Sequence, residues 1–249
     1  MPSTNLSDPM RPFVVVSTQR SGSTMLIHML DQHPQVSMAG EVFKKKKSLE
    51  ILNPEYSFQL GKKLNTWQFK FFKKRMLSKH LDRFESEDQS SCKGFKLMTS
   101  QIELVPELIE LLRKRQFKFI FLFRENKVHQ VLSLQFAQKT DTWVNEQSEE
   151  RGKVLSISKL EKNLKYNLRS DAKLKALKQS GDFVISYEDI LSKGPECHKA
   201  ILYHLEIDNS FGLKSSTRRS SVKKYKDRIS NYLEVKTFFE KQGLGQFPI

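Results

Sequence analysis

The stretch Thr18-Gln19-Arg20-Ser21-Gly22-Ser23-Thr24 carries the residue types that hold an anion without a metal. It follows the apolar run 13–17 and precedes Met25, Leu26, Met29 and Leu30, which repeat at helical spacing until His33-Pro34. A buried strand that delivers such a loop into a helix sets the unpaired N–H groups of the first turn, and the positive end of the helix dipole, at the loop. Gly22 lets the backbone approach a ligand closely. Ser21, Ser23 and Thr24 add hydroxyls, and Arg20 adds a charged planar fork of donors. A Walker loop needs two glycines flanking four residues, then Lys and Ser/Thr. This loop has a single glycine and no lysine, so a nucleotide kinase or NTPase is the weaker alternative. No GxGxxG pattern occurs. A plain helix cap would leave Arg20 without a purpose.

A second cationic point follows the strongest strand signal, 117–123, which ends in Arg124. The pattern Val128, Val131, Leu132, Gln135 predicts a helix over 126–138 that carries Ser133. An arginine at a strand's carboxyl end and a hydroxyl about two and a half turns along the next helix can grip one phosphate from two sides.

TQRSGSTML directly after an apolar strand resembles the 5′-phosphosulfate loop of PAPS-dependent sulfotransferases. The likeness is greatest to the bacterial carbohydrate branch, with the trehalose and nodulation-factor enzymes, which carries arginine at the position of Arg20. The stretch 124–143 is similar to that branch through Arg124, Lys127, Gln130, Ser133, Ala137, Thr140 and Trp143. So are Gly94-Phe95-Lys96-Leu97-Met98 with Gln101, Tyr187-Glu188-Asp189, and the C-terminal stretch from Ser216-Thr217-Arg218-Arg219 to Tyr232. Residues 44–90 match nothing in it.

The resemblance implies PAPS as co-substrate, PAP as product and no metal. Gln19 to Thr24 would hold the 5′-phosphate, with Arg20 steadying the leaving group and Lys96 reaching the same region. Arg124 and Ser133 would hold the 3′-phosphate, joined by Arg218 and Arg219 from a C-terminal clamp. Glu41, 21 positions after Arg20, is the implied general base, with His33 as runner-up. The implied acceptor is a hydroxyl on a saccharide or glycolipid.

These residues need a scaffold. At 249 residues the chain suffices for one α/β domain. Strands at 94–98, 117–123 and 182–186 alternate with helices at about 105–115, 126–138 and 157–179, which predicts a P-loop-like three-layer fold with a mostly parallel sheet. Residues 1–11 read as a flexible leader, 44–90 as a lysine- and aromatic-rich helical insertion, 213–228 as a basic loop, and about 228–241 as a final helix. In the insertion, Trp67, Phe71, Phe72, Met76 and Leu77 predict an apolar stripe, and 85–91 a polar loop.

The net charge of +15 suits polyanions or anionic surfaces. A nucleic-acid-binding module is an alternative, but no such motif occurs. Lysines 44–47 read as a solvated run or a lure for an anionic acceptor, and exposed aromatics at 67–72 could meet a second copy. No run of about 18 apolar residues or secretory signal is seen, so a cytoplasmic protein with reduced Cys92 and Cys197 is expected.

Overall fold

The computed structural model describes residues 11–44, 56–86, 92–140, 152–213 and 225–247. Five strands, β1 (Arg11–Ser17), β2 (Val36–Met38), β3 (Cys92–Met98), β4 (Lys118–Phe123) and β5 (Phe183–Ser186), form one sheet in the order β2-β3-β1-β4-β5. Every pairing is parallel, in register Val15↔Lys96 across β1 and β3 and Val15↔Ile120 across β1 and β4. β1 and β4 carry continuous apolar runs because helices cover both faces, whereas the buried β3 includes Lys93 and Lys96. Val14 and Val16 face one core cluster with Phe95, Leu97, Phe119 and Phe121, while Phe13 and Val15 face the other with Ile120, Leu122 and Ile185. The predicted three-layer α/β fold is therefore present.

One layer holds α2 (Leu60–Lys63), α3 (Trp67–Ser86), α4 (Thr99–Leu104) and α5 (Glu107–Lys114). The opposite layer holds α1 (Ser23–Leu30), α8 (Tyr187–Ser192) and α9 (Gly194–His204). A third cluster joins α6 (Lys127–Thr140), α7 (Ile157–Leu177) and α10 (Tyr232–Lys241). Close packing between strands fixes Gly94, where an added Cβ would sit 2.3 Å from the ring of Phe13. No helix among the described residues is long and apolar enough to cross a membrane.

Several expectations need correction. Arg11 already pairs in β1, so the leader does not include it. The three-residue β2 is too short to show a period, and α4 is not among the expected helices; the helix expected at about 105–115 is α5, which starts at Glu107 after Pro106. The stripe expected in α3 is divided: Leu77 is buried, with Phe69, Leu81 and Phe84, while Trp67, Phe71 and Phe72 are exposed, as expected of the aromatics at 67–72. Phe72 itself departs from helical geometry (φ −118°, ψ 24°), so one unbroken helical wheel does not describe the segment. The helix also runs to Ser86, through the start of the expected 85–91 loop.

Candidate functional site

The carboxyl ends of β1, β3, β4 and β5 meet around residues 18–24, where a parallel sheet whose strand order reverses opens a crevice. Arg20 and Gly22 both take positive φ, 58° and 89°. The loop thus curls on itself before α1, with Gly22 at the helix N-cap. Gly22 is also pressed by Tyr187, since a Cβ there would lie 2.2 Å from the tyrosine ring. Ser21 donates its hydroxyl to the Thr18 carbonyl at 2.9 Å. It therefore stiffens the loop from within, while Ser23 and Thr24 open α1.

Helix α6 braces the loop from the other side. Gln130 is fully buried and donates to Thr18 Oγ1 at 2.8 Å and to the Gln19 carbonyl at 2.7 Å. Its own Oε1 accepts from Lys127 Nζ at 3.0 Å, and Lys127 in turn pairs with Asp171 on α7. A chain of charge-assisted bonds therefore runs from α7 to the loop.

The two predicted anchors come together. Arg20 Nε donates to Ser133 Oγ at 2.9 Å, and Arg124 Nη1 donates to the Arg20 carbonyl at 3.0 Å. The Arg124 guanidinium stacks over Tyr187 at 4.6 Å, with Glu188 Oε1 4.0 Å from its Nε. That Nε is buried and has no hydrogen-bond partner among the described residues. Glu188 also accepts from the backbone N–H groups of Glu125 and Asn126 at 2.9 and 3.1 Å, which fixes the turn between β4 and α6.

Glu41 follows β2 and lies beside the loop. Lys96, reaching from β3, stands 3.3 Å from Glu41 Oε2 and donates to Thr24 Oγ1 at 3.4 Å. Gln101 donates to Glu41 Oε1 at 2.8 Å, while its own Oε1 accepts from the Met98 backbone. Lys44 lies 3.7 Å from Glu41 Oε2 and is only 7 % exposed. This lysine is thus part of the site's wall, neither a solvated charge nor a lure for ligand, and residues 45–47 lie outside the described residues. His33 does not adjoin this cluster by any bond: its Nδ1 accepts from the Gln35 N–H at 3.1 Å and its Nε2 meets the Asp208 carbonyl at 2.9 Å. Both ring nitrogens serve the turn after α1. Arg218 and Arg219 lie outside the described residues, as do Lys223 and Trp143.

Tyr187, Glu188, Gln101 and Gln130 hold the site together, and sequence reading gave none of them a role. Gln130 stands out in the sequence only through the resemblance, as a residue shared with the carbohydrate branch. A separate cavity of about 720 Å³ opens by the amino end of β4. Its charges are already paired, Arg113 with Asp182 and Lys118 with Glu206, and it shares no residue with the loop.

A parallel α/β sheet that feeds a curled anion loop into a helix defines a P-loop-like protein. Within that class the chain belongs to the sulfotransferase family, whose sequence profile matches residues 12–210, and its class of activity is sulfuryl transfer. No curated protein sequence matches. Among solved structures the chain is similar to a sulfotransferase from Alicyclobacillus acidocaldarius, at 13 % identity and TM-score 0.51, covering 96 % of this chain and 97 % of that one. It is likewise similar to a mouse sulfotransferase complexed with PAP, at 12 % identity and TM-score 0.51, covering 95 % and 86 %. At these identities the likeness speaks for the fold.

Proposed function

We propose that this protein moves a sulfuryl group from PAPS to an acceptor hydroxyl, with Glu41 as the general base. The observation that carries the reading is the lysine bridge from the loop to the carboxylate: Lys96 touches Thr24 at 3.4 Å and Glu41 at 3.3 Å. One side chain thereby ties the anion loop to a proton acceptor.

The donor set fits a nucleotide with two separate phosphate positions. Backbone N–H groups of the first turn of α1, with Ser23 and Thr24, suit the 5′-phosphate. Arg124 and Ser133, both bonded to Arg20, suit the 3′-phosphate. Bound PAPS would supply the sulfuryl group and leave as PAP. Glu41 takes the proton of the acceptor hydroxyl as that oxygen bonds to sulfur. Arg20 and Lys96 hold fixed positive charge where the leaving phosphate gains negative charge, so no reorganisation is needed at that moment. Gln101 holds one oxygen of Glu41 and leaves the other toward the lysines.

The resemblance to the carbohydrate branch supports a saccharide or glycolipid hydroxyl as the acceptor. Cys92 and Cys197 are both buried, in keeping with reduced thiols in a cytoplasmic protein. Thermal shift with PAP, ATP, GTP and a short DNA oligomer tests the reading. PAP should stabilise well beyond ATP, and Arg124→Ala should abolish the difference. Equal shifts with ATP and PAP would sink it. Labelled PAPS offered to a panel of saccharide, lipid and phenolic acceptors then identifies the hydroxyl.

A further inference from the structure

The outer side of α2 and α3 carries chemistry that sulfuryl transfer does not use. Trp67, Phe71 and Phe72 are 63 %, 79 % and 48 % exposed, and the rings of Trp67 and Phe72 meet edge-on at 6.4 Å. Trp67, Lys70 and Phe71 share one face of the first part of α3, away from the buried Phe69, and Phe72 and Lys74 are exposed at and just beyond its break. Lys62, Lys70 and Arg75 are exposed around the aromatics. From Tyr56 to Leu81 the chain has seven lysines and arginines and no acidic residue. The nearest acidic groups come from α5, where Glu107 pairs with Lys73 at 2.9 Å and Glu110 with Lys74 at 3.6 Å.

We infer that this shoulder docks the protein on an anionic lipid bilayer, with Trp67, Phe71 and Phe72 entering the headgroup boundary. Exposed aromatics ringed by lysines are the composition of an interfacial helix. The lysine stems can lie along the apolar cluster while their heads reach anionic headgroups. Charge complementarity favours lipid over a second copy, because a two-fold contact would press this cationic patch against itself. Rings that project this far also suit insertion better than stacking of nucleic-acid bases, which takes place along a charged groove.

Co-sedimentation with phosphatidylcholine vesicles, with and without phosphatidylglycerol, tests the inference. Binding should be at least about tenfold greater to the phosphatidylglycerol vesicles and fall steeply with salt. Replacing Trp67, Phe71 and Phe72 together by Ser should cut that binding about tenfold or more, with circular dichroism unchanged. Trp143→Phe leaves Trp67 as the sole tryptophan and the patch intact. Its emission should then shift to the blue with phosphatidylglycerol vesicles and be quenched by brominated lipid. Equal binding to neutral vesicles, an unmoved Trp67 emission, or undiminished binding by the triple variant would overturn the inference. So would a dimer, or binding to a single-stranded oligonucleotide, that the triple variant alone abolishes.

Discussion

Glu41 shows how a residue's role depends on its neighbours. Its lone position after Gly40 suggests a surface turn, and only the resemblance made it a base. The fold surrounds it with Lys96, Lys44 and Gln101. Glu41→Gln should therefore cut turnover about 10²–10⁴-fold while PAP still raises the melting temperature. Unchanged turnover would remove Glu41 as the base. Gln101→Met keeps the volume and loses the amide that orients the carboxylate. We expect kcat to fall roughly ten- to a hundredfold with KM for PAPS unmoved, and a change confined to KM would show Gln101 acting elsewhere. Gly22→Ala meets both a φ of 89° and the Tyr187 ring at 2.2 Å, which should cost about 1–3 kcal/mol of stability by denaturant titration. The glycine's loop role was legible from the local pattern. Its contact with Tyr187 was not, because that tyrosine reaches it only through the pairing of β4 with β5.

Strands β1 and β4 were the most legible elements, since each is a continuous apolar run buried on both faces. The helices were legible where one face alone is apolar, as in α5 with Leu108, Ile109 and Leu112 buried. The reading of α3 held in part: hydrophobicity alone put exposed Trp67, Phe71 and Phe72 in one stripe with buried Leu77, and the break at Phe72 separates them. Short elements carry their signal in capping chemistry instead. Helix α8 begins with a reciprocal box: Ser186 Oγ accepts from the Asp189 N–H at 2.9 Å and donates to Asp189 Oδ2 at 2.8 Å. The Asp189 carboxyl is held below its ordinary 3.8, first by the hydrogen bond from Lys193 and then by Ser186. Ser186→Ala should cost about 1 kcal/mol at neutral pH. Because the folded pKa is lowered, the stabilisation tied to this charge is complete above 3.8 and is lost as pH falls through the folded value. The gap between wild type and variant in urea titrations should accordingly narrow below that pH. A gap that widened in acid would contradict the assignment.

At the scale of the whole molecule, the anion loop and the far helix α9 share one core. Met25, Leu26 and Leu30 of α1 lie in the same buried cluster as Cys197 and Ile201 of α9, with Phe13 and Val15 of β1 between them. If residues 1–249 act as one cooperative domain, ligand at the loop must protect Cys197 in α9 as well. Burial, helped by the charge of Asp189, pushes the Cys197 thiol up to about 11, so native-state reaction is suppressed and labelling reports opening. Cys92 is fully buried in β3 and reports the sheet itself. PAP at 100 times its dissociation constant adds about 2.7 kcal/mol to a cooperative unit. Both thiols should then label roughly a hundredfold more slowly with a chromogenic disulfide at neutral pH, provided that reclosing outpaces the reagent. ATP at the same concentration should slow them far less. Protection of Cys92 without protection of Cys197 would mean that α8 and α9 open separately from the sheet they cover.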